Sequence, residues 1–173
     1  MYKSQANITK KSFLYNLGFY TLFFIAISLC VFYPFYSAGR TFVWEADGAT
    51  QYILRLQYSG MWIRKVLASI FSGHPSVPFY DFTIGTGDDI FLFSKQYPVL
   101  FLGSIFVNQE NVGIVYTILS MVHIYLMGLS FSLFARHEKL SLPGSVCGAL
   151  IYCFSGFTFY FILRHPQFAS GAI

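Results

Sequence analysis

Between Lys11 and Arg40 the chain carries no charged residue, and the stretch from Phe13 to Tyr36 reads FLYNLGFYTLFFIAISLCVFYPFY. A helix that crosses a bilayer needs about 20 predominantly apolar residues, so this segment is long enough. It also exceeds the apolar core of a signal peptide, about 7 to 15 residues. No small-residue cleavage site follows, because Ser37, Ala38 and Gly39 run straight into Arg40. The segment reads as a retained membrane helix over 13–36, preceded by a cytoplasmic N-terminus over 1–12.

Composition supports that reading across the chain. Of 173 residues, 55% are hydrophobic, 21% aromatic and only 10% charged, with mean hydropathy +0.57. Soluble domains usually carry about 25% charged residues, so a water-soluble fold is excluded, and so is intrinsic disorder, which needs low hydrophobicity and high net charge. Nothing in the pattern points to nucleic acid. Two more spans follow: 112–134 (VGIVYTILSMVHIYLMGLSFSLF) and 143–163, which starts at a proline suited to the first turn of a helix and stops before Arg164. The fold class is an all-α integral membrane protein with about three transmembrane helices.

Orientation follows from the basic residues beside short loops. Lys3, Lys10 and Lys11 precede the first span, and Arg136 and Lys139 lie in the tight connection 135–142. The loop 37–111 contains six of the seven acidic residues. The N-terminus is expected in the cytoplasm, with the loop and the end 164–173 outside. Cys30, Cys147 and Cys153 fall inside spans without a CxxC pair and read as small buried apolar residues. Gly144 and Gly148 form a small-xxx-small pair that asks for a partner helix. His123, costly against lipid, reads as hydrogen-bonded to a neighbouring helix.

The long loop is expected to hold its own structure. From Ala49 to Phe71, apolar residues at Tyr52, Leu56, Ile63, Val66, Leu67 and Ile70 keep helical spacing interrupted by Gly60. This predicts an amphipathic helix near 49–71 lying along the membrane face. Gln51, Arg55 and Tyr58 share one face of it with Asp47. Two readings of Asp47 stay open: a helix N-cap, or a general base at the mouth of a membrane cavity with Gln51 and Arg55 contacting substrate. Gly85-Thr86-Gly87 before Asp88-Asp89 reads either as a tight turn with solvated aspartates or as a cation or phosphate site. One acidic pair is weak evidence for a divalent cation, so the cofactor stays unassigned and no metal ligand is named. The apolar stretch Tyr97 to Val107, eleven residues long, is too short to span and either dips into the interface or covers the loop helix.

Four stretches carry a family resemblance: WEADGATQY (Trp44 to Tyr52), FSGHPSVPFYDFTIGTGDD (Phe71 to Asp89), YPVLFLGSIF (Tyr97 to Phe106) and FSGFTFYFILRHPQF (Phe154 to Phe168). In this order they resemble the YfhO-like bacterial membrane proteins, a branch of the GT-C glycosyltransferases. Members of that family are longer, so the chain resembles their N-terminal part and reads as truncated, with the piece alone expected to be inactive. The resemblance implies transfer of a sugar from a polyprenyl-phosphate carrier to a cell-envelope polymer such as teichoic acid, at the outer face of the bacterial plasma membrane. It implies that Asp47 takes the proton of the acceptor hydroxyl and that Arg55, Arg64 or Lys65 neutralises the lipid phosphate. Asp88 and Asp89 would line the acceptor side or hold a cation. His165 returns to the outer side near Asp47 and joins the substrate-binding set. Two other classes remain: a non-catalytic membrane scaffold or polymer-binding partner, in which Asp47 only caps, and, ranked last, a transporter subunit, for which only His123 lies near the midplane.

Overall fold

Among the described residues, three stretches are long and apolar enough to cross a membrane: Ser12–Val31, Val112–His137 and Leu142–Phe161. The computed structural model describes residues 10–82, 87–90 and 97–164. The protein is an all-α multi-pass membrane protein, with one two-residue strand pair among the described residues. Helix α1 covers Lys10–Val31, and a short α2 covers Tyr33–Ser37. They are separated at Phe32 because Pro34, near the start of α2, has no N–H to continue the ladder.

A π-helical turn, Gly48–Tyr52, leads into α3, Ile53–Phe71. Strands β1 (Tyr80–Asp81) and β2 (Asp88–Asp89) pair antiparallel, Tyr80 opposite Asp89 and Asp81 opposite Asp88. Helix α4 (Pro98–Gly103) runs into a 3₁₀ turn at Ser104–Phe106. The second span is α5, Val112–His137, and the third is built from α6 (Leu142–Cys153) and α7 (Gly156–Arg164). At the break between α6 and α7 the Ser155 hydroxyl accepts from the Thr158 N–H, and the Thr158 hydroxyl donates to the Tyr152 carbonyl at 2.9 Å. Such side chains re-satisfy backbone groups where a membrane helix is interrupted.

Hydrogen bonds as well as packing hold the three spans together. The Asn16 amide, 1% exposed, donates to Ser132 Oγ at 3.0 Å, and its carbonyl oxygen accepts from Ser145 Oγ at 3.2 Å, so α1, α5 and α6 meet at one polar knot. One turn further on, the Tyr20 hydroxyl donates to the Tyr125 carbonyl at 2.8 Å and lies 3.4 Å from Cys153 Sγ. Lipid tails are as apolar as leucine, so polar contacts of this kind help drive helix association in a bilayer. Replacing Asn16 with Leu is expected to lower stability by on the order of 1 kcal/mol, read as a lower unfolding midpoint in detergent. An unchanged midpoint would mean that the two serines find other partners.

Packing bears out one expectation in part and corrects another. Gly148 meets α5 of the same chain, since a Cβ there would stand 3.0 Å from the Phe131 ring, whereas at Gly144 it would meet only Ser141. Cys153 is buried, but Cys30 and Cys147 are exposed on the helix surfaces, where an apolar bilayer covers them as well as protein would. His123 is buried inside the bundle at 1% exposure.

The segment Tyr97–Val107 covers the loop helix. Tyr97, Leu100, Ser104 and Val107 are buried, and the Phe101 ring lies 5.9 Å from that of Trp62 on α3. The two backbones come so close that a Cβ on Gly60 would stand 2.3 Å from the Ser104 carbonyl oxygen. Glycine at this point is what allows the contact, and it leaves α3 continuous through the position where the periodicity was interrupted.

Candidate functional site

The polar face of the π-turn and α3 engages three carboxylates in succession. At Asp47 the side chain makes no capping bond to the turn that follows, and the residue itself has helical backbone angles, φ −62° and ψ −27°. The backbone here is already helical, so the geometry that lets an N-cap side chain fold back onto free N–H groups is missing, which corrects the cap reading. Asp47 Oδ1 instead accepts from the Gln51 amide at 3.1 Å, one turn along. Asp47 is half-buried, and its second oxygen has no bond among the described residues.

Four residues on, Arg55 forms an ion pair with Asp88 at 3.7 Å, both side chains about one-third exposed (39% and 34%). The Tyr58 hydroxyl then donates to Asp81 Oδ2. Asp81 and Asp88 face each other across the strand pair, which brings both within reach of α3. Burial pushes the Tyr58 phenol above its ordinary value, reinforced by the hydrogen bond to Asp81 and the charges of Asp81 and Asp88. A raised pKa favours the neutral phenol, so its contribution to stability is intact below about pH 10 and fades as pH climbs beyond that. Replacing Tyr58 with Phe is expected to cost about 1 kcal/mol. The gap between parent and variant midpoints should hold steady up to about pH 10 and narrow above it; a gap independent of pH would place the effect elsewhere.

Beside this row lies an open pocket of about 190 Å³, lined among others by Tyr58, Trp62, Lys65, Ser69 and Asp81. The Trp62 indole N–H donates to the Pro78 carbonyl at 3.0 Å and so ties α3 to the segment that leads into β1. Lys65 is exposed. Arg64 points away from the row: its Nη1 donates to the Ile105 and Val107 carbonyls, both at 2.9 Å, holding the 3₁₀ turn against α3. Asp89 is exposed on β2. His165 and the Gly85-Thr86 part of the glycine turn lie outside the described residues. Among the described residues, no group of three His, Cys, Asp or Glu side chains stands together in a way that could hold a metal ion.

The end of the third span reaches the same region. The Arg164 guanidinium stacks over the Trp44 ring at 4.7 Å and over the Tyr160 ring at 4.8 Å. Trp44 in turn packs on Gly48, next to Asp47, where a Cβ would lie 3.3 Å from Trp44 Cβ. Two stretches about 120 residues apart in sequence, around Trp44 and around Arg164, thus form one surface. Residues 20–165 match a family described as bacterial membrane protein YfhO. The chain belongs to that family. The match takes in Asp47, the strand pair, Tyr97–Val107 and Arg164 together. No curated protein and no solved structure matches the chain.

Of the expected site residues, Asp47, Gln51, Arg55 and Asp88 lie along one row, Lys65 lines the adjoining pocket, Arg64 is bonded into the scaffold and Asp89 faces outward. The structure adds Asp81, Trp62 and Arg164 to these. The sequence signal for Asp81 is Tyr58, a phenol on the polar face of α3 that needs an acceptor, and Arg164 directly precedes His165.

Proposed function

We propose that this chain is the base-bearing part of a GT-C-type glycosyltransferase. It transfers a sugar from a polyprenyl-phosphate carrier to a cell-envelope polymer such as a teichoic acid, at the outer face of the bacterial plasma membrane, with the N-terminus in the cytoplasm. The observation that carries the reading is the state of Asp47: a half-buried carboxylate soon after the first span, steadied through one oxygen by Gln51 and not used as a cap. A carboxylate tied up in capping would have supported the scaffold reading.

Sugar nucleotides are made in the cytoplasm, so transfer outside needs a donor carried by lipid and reached from within the bilayer. In the step proposed, the acceptor hydroxyl oxygen bonds to the anomeric carbon and the bond from that carbon to the phosphate oxygen breaks. Asp47 takes the hydroxyl proton, and the phosphate leaves on its lipid. A phosphate is a good leaving group, so a single base suffices. A general base in hydrogen-bond reach of the reacting hydroxyl contributes about 10²- to 10⁴-fold. In this reading Arg55, held by Asp88, or Lys65, at the pocket wall, neutralises the lipid phosphate, and Asp88 lines the acceptor side. Arg64 gives up one nitrogen to the scaffold and is left with the rest of its fork.

The test is incorporation of labelled sugar from polyprenyl-phosphate sugar into envelope polymer, in membranes of the bacterium that makes the protein. Deleting the gene is expected to abolish incorporation, and restoring it to bring incorporation back. Unchanged incorporation after deletion would overturn the assignment.

A further inference from the structure

The described arginines differ in what holds their charge. Arg55 is paired with Asp88, Arg64 donates to two backbone carbonyls, and Arg136 donates to Ser12 and to the Leu140 carbonyl. Arg40 is exposed to solvent. Arg164 is half-buried between the rings of Trp44 and Tyr160, and among the described residues no carboxylate, carbonyl or hydroxyl accepts from its guanidinium. Ring stacking uses the face of the guanidinium and leaves its five N–H donors, which lie in the plane, directed outward. The side chain is therefore oriented in advance, and no described residue uses its hydrogen-bonding capacity.

Depth narrows the choice of ligand. The apolar run of the third span ends at Leu163, directly before Arg164. The residue's backbone therefore stands at the edge of the apolar layer, from which a long basic side chain reaches into the headgroups. The polar headgroup layers add roughly 10 to 15 Å in total to a hydrocarbon core of about 30 Å, so this is where lipid phosphates lie. Trp44 and Tyr160 are residue types that favour the same level. A planar fork at this depth matches two oxygens of a phosphate. We infer that Arg164, stacked on Trp44 and Tyr160, is a binding site for the phosphate of a membrane lipid at the end of the bundle that carries Asp47. The choice of a polyprenyl phosphate as that lipid rests on the transferase reading; phosphate binding does not.

Trp44 supplies the readout, because the chain has only two tryptophans and one of them lies under the guanidinium. The protein is purified in a maltoside detergent free of phosphate and titrated with polyprenyl monophosphate, with phosphatidylglycerol, with inorganic phosphate and with polyprenol lacking the phosphate. Polyprenyl phosphate is expected to give a saturable change in tryptophan fluorescence, and polyprenol none. The Arg164→Gln variant is expected to bind roughly ten- to a hundredfold more weakly, as when a charged hydrogen bond is lost. The Arg164→Lys variant keeps the charge without the fork and should fall between. It decides the matter where the glutamine variant fails to fold.

An equal response to phosphatidylglycerol supports the site and assigns it to lipid phosphates in general. A response to inorganic phosphate as strong as to the lipid, binding of polyprenol, or parental affinity in the Lys and Gln variants overturns the proposal. The titration reads no turnover. Intact Arg164-dependent binding in a protein that transfers no sugar would sink the transferase reading and leave this site standing, and transfer without Arg164-dependent binding would do the reverse.

Discussion

In the full gene product, the Asp47→Asn variant is expected to lose sugar transfer by at least about a hundredfold, the lower end of what a positioned base contributes, while its folding is almost unchanged. The amide has the shape of the carboxylate and keeps an oxygen that can accept from Gln51, so the 3.1 Å contact can persist. What disappears is the ability to take a proton. Loss of a true N-cap typically costs about 1 kcal/mol, but Asp47 makes no such bond to lose. The two readings therefore separate in a pair of measurements on one protein: initial transfer rate at fixed donor concentration, and unfolding midpoint in the same detergent. A large fall in rate with a steady midpoint supports the base. A lowered midpoint with near-normal rate would return Asp47 to a structural role and send the search for a base to the neighbouring carboxylates Asp81 and Asp88.

The spans were legible in the sequence because a bilayer imposes a local criterion. An uncharged run such as Phe13 to Tyr36 satisfies it without knowledge of any partner. The row Gln51, Arg55, Tyr58 was legible for a similar reason, since spacings of four and three fix a helix face. What each residue on that face would touch was not legible. Asp81 and Asp88 reach α3 only because two-residue strands set them opposite one another, and pairing of strands so short leaves little trace in composition. The state of Asp47 depended on a π-turn where an ordinary helix start was expected. The difference is one of backbone angles, which decide whether an aspartate folds back on the free N–H groups or reaches along the turn to Gln51. Arg64 and Arg164 show the same limit from the other side. Both are basic residues near the loop, and only their distant neighbours, the carbonyls of Ile105 and Val107 for one and the ring of Trp44 for the other, distinguish a scaffold contact from an available donor.

The alanine variant at Gly60 is expected to be the most damaging single substitution in the loop. The added methyl would stand 2.3 Å from the Ser104 carbonyl oxygen and 3.2 Å from its carbon. The obstacle is backbone, so no side chain can swing aside. Ser104 is fully buried, and the turn that contains it is held by Arg64 through the Ile105 and Val107 carbonyls and by the Ser104 hydroxyl bonded to the Phe101 carbonyl. Either α3 or the turn must move, and overpacking of this kind costs about 1 to 3 kcal/mol. Alanine's better helix propensity, worth up to about 1 kcal/mol against glycine, offsets part of that cost and leaves a net loss. Gly18 is the control, because it lies inside α1 with nothing within 4 Å of an added Cβ. Its alanine variant should hold or raise the unfolding midpoint. Because α3 carries Arg55 and Tyr58, a shift at Gly60 should also loosen their grip on Asp88 and Asp81. Limited proteolysis of the Gly60→Ala protein is therefore expected to cut faster within residues 72–82 than in the parent, while the knot of Asn16, Ser132 and Ser145 keeps the three spans protected. Equal cleavage in parent and variant would show that α3 and the 3₁₀ turn do not touch as closely as Gly60 permits.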